Sequence, residues 1–244
     1  MGDPEYAIRA RGLSRHFGEL PAVDDLTLEI PNGIIFGFLG PNGAGKTTTI
    51  RLLLGLLEPT SGEAEVLGND IRRKPDAIRE RCGALLEHHG LYERLSAEDN
   101  LDLYGRFWRM PREARRERTR EILTRLELWD RRGEVIVKWS KGMKQKLAIA
   151  RALFHRPALL FLDEPSAGLD PLAAAALHEE LTRLVRAEGV TVFLTTHNMS
   201  EAAKLCTLVG VVRSGKLLAC APPDRLGRDG ASLDETFIAL MAEK

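Results

Sequence analysis

The sequence predicts an α/β fold in which buried parallel strands end at one edge of a sheet and hand over to helices. Three stretches predict it. Ile34-Ile35-Phe36-Gly37-Phe38-Leu39 is an apolar run of strand length, followed by a glycine-rich turn and then by Thr48-Thr49-Ile50-Arg51-Leu52-Leu53-Leu54, which reads as a helix. Ala158-Leu159-Leu160-Phe161-Leu162 is a second buried strand, ending abruptly in Asp163-Glu164. A third closes in Leu194-Thr195-Thr196-His197.

The turn between the first strand and its helix is Gly40-Pro41-Asn42-Gly43-Ala44-Gly45-Lys46-Thr47, which fits G-x-x-x-x-G-K-[ST] without a mismatch. Glycines at 40, 43 and 45 are expected to take positive φ and turn backbone N–H groups inward, making an anion nest at a helix N-terminus. Lys46 supplies a mobile charge to the β and γ phosphates of a nucleoside triphosphate. The Thr47 hydroxyl is placed for Mg²⁺, which keeps most of its octahedral shell as water and phosphate oxygens. In an α/β sheet ligands gather beyond the carboxyl ends of the strands, so Asp163 and Glu164 should lie beside this loop. Asp163 can then hold Mg²⁺ through its water shell, and Glu164 can polarise a water for in-line attack.

Composition bounds the rest. With 244 residues and 44% hydrophobic content, the chain can bury a substantial core, as one large domain or as a core with an inserted subdomain. Lys+Arg and Asp+Glu both number 35, and a formal charge of zero gives no global sign of a nucleic-acid partner. No stretch approaches the roughly 18 consecutive apolar residues of a membrane span. The start, Met1-Gly2-Asp3-Pro4-Glu5, has neither a basic nor an apolar leader segment. Cys82, Cys206 and Cys220 are odd in number and never in a C-x-x-C pair, which suits ordinary small apolar residues in a reduced cytosol better than disulfides or a zinc site. From about Arg106 to Arg132, arginine and glutamate interleave with Ile122, Leu123, Leu126 and Leu128 at helical spacing, predicting a solvated amphipathic helix. His88 and His89 read as surface loop residues with no metal role.

A second helix start follows Trp139: Ser140-Lys141-Gly142-Met143-Lys144-Gln145-Lys146 leads into Leu147-Ala148-Ile149-Ala150, with Ser140 a predicted N-cap and Gly142 leaving the first turn open to close approach. In its order with the other motifs this segment resembles the L-S-G-G-Q signature of the ATP-binding-cassette family, and the resemblance covers nearly the whole chain. It implies that Gly40 to Thr48, including Pro41, Asn42, Ala44 and Thr48, bind ATP with Mg²⁺. It also implies that Ser140 and Gly142 bind the nucleotide held by a second copy, packed head to tail. Asp163 and Glu164 match the metal and general-base pair. Asp170, in Ser166-Ala167-Gly168-Leu169-Asp170, matches the loop that communicates across the dimer, and His197 matches the switch histidine at the γ phosphate. Phe17 matches the aromatic that stacks on adenine, or is a core residue.

The resemblance further implies a phosphate-loop core with a mixed sheet, made of residues 1–87 and 157–221. It adds an antiparallel β region around Tyr6 to Ile30, a helical subdomain at 88–156 and a helical tail at 222–244. In the tail, Ser232-Leu233-Asp234-Glu235-Thr236-Phe237-Ile238-Ala239-Leu240 reads as a capped amphipathic helix. The chain departs from the pattern where Glu87 stands in place of the usual glutamine. A carboxylate keeps oxygen acceptors for Mg²⁺, loses an N–H₂ donor and adds charge near Glu164. Similar glutamate loops look familiar from bacteriocin and lantibiotic immunity exporters. Lys141 and Met143 are milder departures. The expected protein is thus the cytoplasmic ATPase subunit of an exporter, a homodimer beneath a separate permease. The alternatives are a cassette ATPase acting on DNA or ribosomes and an ATP-binding switch that barely hydrolyses.

Overall fold

The computed structural model describes residues 5–226 and 233–242. Its first layer is antiparallel. Strands β1 (Tyr6–Phe17), β2 (Leu20–Pro31), β4 (Ser61–Val66) and β5 (Asn69–Asp70) pair in the order β2-β1-β4-β5. In β2, buried Leu26, Leu28 and Ile30 alternate with exposed Thr27 and Glu29, the two-residue period of a sheet with one covered face.

The second sheet is mixed and follows the order β10-β9-β3-β8-β7-β6. Strands β3 (Ile35–Leu39), β6 (Cys82–Leu85), β7 (Leu159–Asp163), β8 (Thr191–Thr196) and β9 (Leu208–Arg213) run parallel, and β10 (Lys216–Ala221) returns antiparallel at the edge. Every residue of β3 and β8 is buried, because both faces of this sheet are covered. One face carries Phe36, Phe38, Phe161 and Phe193 against the antiparallel layer and α1 (Lys46–Leu53). Phe193 sits 5.1 to 5.5 Å from the other three ring centroids, a tilted aromatic cluster that pins β3, β8 and β7 together. The opposite face, with Leu160, Leu162, Val192 and Leu194, packs on helices.

After α2 (Pro75–Arg81) and β6 the chain leaves the sheet for α3 (Ala97–Phe107), α4 (Arg112–Arg125) and α5 (Lys141–Leu153), and it returns at β7. The stretch from Arg106 to Arg132 is not one helix. Arg109 takes φ 52, and Pro111, which cannot continue a helix, is the N-cap of α4. Nor is that stretch wholly solvated: Arg118 is only 4% exposed and donates to the Leu153 carbonyl at 2.7 Å and the Phe154 carbonyl at 3.2 Å. Those carbonyls end α5 and have no partner within it, so a guanidinium from α4 closes the helix. Ile122, Leu123, Leu126 and Leu128 are buried as their spacing predicts.

His155, just past α5, ties this helical part to the sheet. Its ring stacks on Trp108 with centroids 4.0 Å apart, and its Nε2 lies 3.1 Å from the Cys82 carbonyl oxygen. A carbonyl only accepts, so Nε2 carries the hydrogen and Nδ1 is left buried without a partner. Burial pulls the His155 pKa down to about 4 from 6.5, the Arg118 and Arg151 charges add to the fall, and the Cys82 hydrogen bond opposes it. Between those two values the unfolded chain binds a proton that the folded chain does not. The stability from neutral His155 is therefore complete above pH 6.5 and is lost as pH falls toward 4, a loss on the order of 3 kcal/mol. Urea midpoints across this window should show the drop, and His155→Phe should remove that component of it.

The remaining helices are α6 (Pro171–Glu188), α7 (Met199–Leu205), α8 (Pro223–Leu226) and α9 (Leu233–Ala242). The expected tail helix is present as α9, while its expected cap, Ser232, lies outside the described residues. Cys82 and Cys206 are buried, and Cys220 is exposed with its thiol free. No helix among the described residues is long and apolar enough to cross a membrane.

Candidate active site

The glycine-rich turn joins the carboxyl end of β3 to α1. Gly43 and Gly45 take φ of 79° and 98°, as the turn requires. Gly40 is a correction: it does not have positive φ, and it is glycine for a steric reason, since a Cβ there would stand 2.4 Å from the Val212 carbonyl oxygen. Lys46 is 6% exposed, and its Nζ donates to the Gly40 carbonyl at 2.8 Å and the Pro41 carbonyl at 3.2 Å while pairing with Glu164 Oε1 at 3.3 Å. The lysine charge is thus held within the turn, where the N–H groups of the first turn of α1 also converge.

Strand order brings the acids to this turn. β8 lies between β3 and β7, with Leu39 opposite Thr196 and Asp163 opposite Thr195. Thr47 Oγ1 donates to Asp163 Oδ2 at 2.6 Å, and Thr195 Oγ1 donates to Asp163 Oδ1 at 2.6 Å. Each carboxylate oxygen is therefore engaged, and Asp163 is fixed against the start of α1. The next residue, Glu164, takes φ 48, a left-handed conformation that costs a non-glycine residue about 1 kcal/mol. Its N–H offsets that by donating to Thr195 Oγ1 at 3.0 Å. The twist sets its carboxylate between Lys46 and His197, whose Nδ1 lies 3.1 Å from Glu164 Oε2. The His197 ring is 61% exposed and open to a ligand.

Lys46, Thr47, Asp163 and Glu164 border a cleft of about 510 Å³ whose walls also include Asn42, Gly43, Ala44, Gly45, Thr48, Glu87, His89, Lys141 and Gln145, while His197 reaches it only through its contact at Glu164. That volume suits a nucleotide-sized ligand. A larger groove of about 1110 Å³ lies between α3 and α4, lined mainly by arginines and carboxylates, without a glycine-rich backbone turn to cradle phosphate. The chemistry places the site at the smaller cleft. His89 is half-buried against it with its Nε2 unpartnered, so it is not the plain surface residue expected, whereas His88 is exposed. Ser140 is exposed and caps α5, accepting from the Met143 N–H at 3.2 Å, but neither it nor Gly142 lines this cleft. Phe17 is 47% exposed, which removes the core alternative, with Arg15 over its ring at 4.7 Å. Asp170 is exposed and caps α6 through the Ala173 N–H at 2.9 Å.

Two participants were not singled out from the sequence. Thr195 fixes both Asp163 and Glu164, and the signal for it was a hydroxyl ending an apolar strand next to the acidic one. Gln145, 7% exposed, donates to the Pro165 carbonyl and braces the turn after Glu164 from α5. No group of three or more His, Cys, Asp or Glu is gathered as a metal cage among the described residues. The oxygens of Thr47 and Asp163 are nonetheless the hard donors that Mg²⁺ takes when substrate phosphates supply the rest of its shell.

A phosphate cradle beyond a parallel strand, with an acidic strand end two places along the sheet, defines the chain as a P-loop nucleoside triphosphatase. More narrowly, it belongs to the ABC transporter family, whose model matches residues 23–167. It is 39% identical to the bacitracin transport ATP-binding protein BcrA of Bacillus licheniformis over 90% of this chain and 71% of that one. It is 40% identical to the daunorubicin resistance ATP-binding protein DrrA3 of Streptomyces coeruleorubidus over 91% of this chain and 70% of that one. Among solved structures, an ATP-binding subunit of an ABC transporter superposes with TM-score 0.87 at 31% identity, covering 96% of this chain and 99% of that one. The cbiO1 protein of Clostridium perfringens, part of the ABC transporter complex cbiONQ, superposes with TM-score 0.84 at 25% identity over 91% of both chains. The protein is an ATP-binding and ATP-hydrolysing subunit of an ABC transporter, and the readings as a DNA or ribosome ATPase or a silent switch are not favoured.

Proposed function

We propose that two copies of this chain close on ATP and Mg²⁺ beneath a separate membrane permease, on the cytoplasmic face, and drive export. The observation that carries the dimer is the position of Ser140 and Gly142 at a capped helix start: Ser140 is exposed, and neither residue lines its own chain's cleft, although Lys141 between them borders it. Backbone donors at such a start favour an anion, and a second copy's triphosphate would supply one. In this reading Gly40 to Thr48 cradle the phosphates, Phe17 stacks its outer face on adenine, and Asp170 meets the partner's phosphate loop. Thr47 and Asp163 hold Mg²⁺, which neutralises phosphate charge. Glu164 takes the proton of the attacking water, and His197 holds the γ phosphate. Export is favoured by the bacitracin and daunorubicin functions in the names of the relatives. Residues 1–87 and 157–221 would act as the catalytic core, 88–156 as the subdomain carrying Ser140, and 222–244 as a tail.

Sedimentation of the purified chain with Mg²⁺ and a non-hydrolysable ATP analogue should give twice the mass seen without nucleotide. A chain that stays monomeric at saturation would remove the two-copy reading.

Glu87 borders the same cleft as the phosphate loop, and we assign it to approach Mg²⁺ in place of the family's glutamine. Glu87→Gln should then keep ATP hydrolysis within about threefold of the parent, since only one of several oxygen donors changes, while changing its stimulation by the permease. Phosphate release measured with and without permease vesicles checks this, and complete loss of hydrolysis would count against it.

A further inference from the structure

We propose that Glu201 is a positioning residue for ATP hydrolysis, a buried carboxylate that joins the segment carrying His197 to helix α6 and to the turn after Glu164. The inference rests on the roles proposed above for Glu164 and His197.

Glu201 is 4% exposed, in the first turn of α7. Its Oε2 accepts from Thr196 Oγ1 at 2.7 Å, and its Oε1 lies 2.7 Å from His178 Nε2 on α6. Burial pushes its carboxyl up, but hydrogen bonds from His178, Ser166 and Thr196 more than offset this and hold it below the usual glutamate range. An ionised carboxylate only accepts, so His178 donates through Nε2. Ser166 follows Glu164 by two positions, which brings the turn after the general base into the same network.

Thr196 is held in both of its hydrogen-bonding roles. It donates to Glu201, and its Oγ1 accepts from the Asn198 N–H at 3.0 Å. Asn198 Oδ1 in turn accepts from the Glu201 N–H at 3.1 Å. Residues 196 and 198 bracket His197, whose exposed ring has its own contact at Glu164. The backbone on either side of the histidine is therefore fixed by Glu201, while the exposed ring is held by its contact at Glu164.

A helix-start glutamate that served only α7 would lie at the surface. This one is buried and takes partners from β8, α6 and the turn after β7, so its site is specified by three other parts of the chain. Burying a carboxylate is unfavourable unless it is fully hydrogen-bonded, and here that cost is offset by contacts from three elements, of which Thr196 adjoins His197 and Ser166 follows Glu164. Asp170 caps the same α6 that carries His178, so a shift of that helix on dimer closure would reach His197 through a short polar path.

The test uses two variants of nearly unchanged shape in the full-length chain, Thr196→Val and Glu201→Gln, with kcat and KM for ATP measured alongside Glu164→Gln and His197→Ala. Each of the first pair should lower kcat about tenfold, in the range known for residues that orient a site's ligands. KM should stay within about twofold, and the double variant should be slowed by less than the product of the two single effects, because the two residues share one hydrogen-bond network. Parent-like kcat in both, or KM worsening in step with kcat, overturns the inference while Glu164→Gln and His197→Ala remain inactive. Should Glu201→Gln fail to fold, Thr196→Val decides alone. Parent-like hydrolysis by Glu164→Gln and His197→Ala would instead sink the underlying site assignment.

Discussion

Glu164→Gln should hold ATP at least as tightly as the parent and hydrolyse it about 10³-fold more slowly, within the 10²–10⁴ range that a positioned general base contributes. The amide has the shape of the carboxylate and inherits its unusual backbone, since the Thr195 contact that offsets the left-handed φ is made by the peptide N–H and not by the side chain. What it loses is the capacity to take a proton. Binding should survive because Lys46 keeps its hydrogen bonds to Gly40 and Pro41, and losing a negative charge beside the γ phosphate removes repulsion. Single-turnover phosphate release and titration with a fluorescent ATP analogue separate the two quantities. Hydrolysis within tenfold of the parent would show that another group activates the water. Retained ATP without turnover would also hold the proposed pair of copies closed, so the variant reports on both steps.

The parts of this site that sequence made legible are those written in consecutive residues. β3, β7 and β8 are uninterrupted apolar runs because both faces of their sheet are covered, and each ends at the residues proposed above for the chemistry. The phosphate turn is legible because its glycine spacing answers a backbone requirement, met at Gly43 and Gly45. Gly40 fits the same spacing but obeys a different rule, the approach of Val212, which belongs to a strand near the other end of the chain. That contact exists only after β9 pairs with β3, so no local pattern could announce it. The burial of Arg118 was hidden for a similar reason. In an arginine-rich helix, composition cannot say which guanidinium reaches the last carbonyls of another helix. Thr195, Thr196 and Glu201 look like ordinary strand-end and helix-start residues until the sheet order sets them beside Asp163 and His178.

Lys46→Ala should weaken ATP binding by on the order of 10²–10³-fold, about 3–4 kcal/mol, the usual cost of removing one partner of a buried charge-assisted contact. The backbone N–H groups of the turn remain, but they hold an anion as fixed partial charges, and Lys141, which also borders the cleft, belongs to α5 and not to the turn. Without nucleotide the same substitution should be nearly neutral to stability. The lysine's present partners are two carbonyls and a Glu164 carboxylate that is 27% exposed, and water in the open cleft can replace it there. The two states therefore respond differently, which makes thermal unfolding a direct readout. At an ATP concentration 100 times the parent's dissociation constant, the parent should gain about 2.7 kcal/mol, a rise of roughly 5–10 °C for a chain of this size. At that concentration the variant's site is at most half filled, and its gain stays below about 0.5 kcal/mol. A variant that melts well below the parent without nucleotide would show that Lys46 holds the turn together as well as the phosphates. One that keeps the parent's ATP-dependent rise would place the phosphate charge on the backbone nest instead of the lysine.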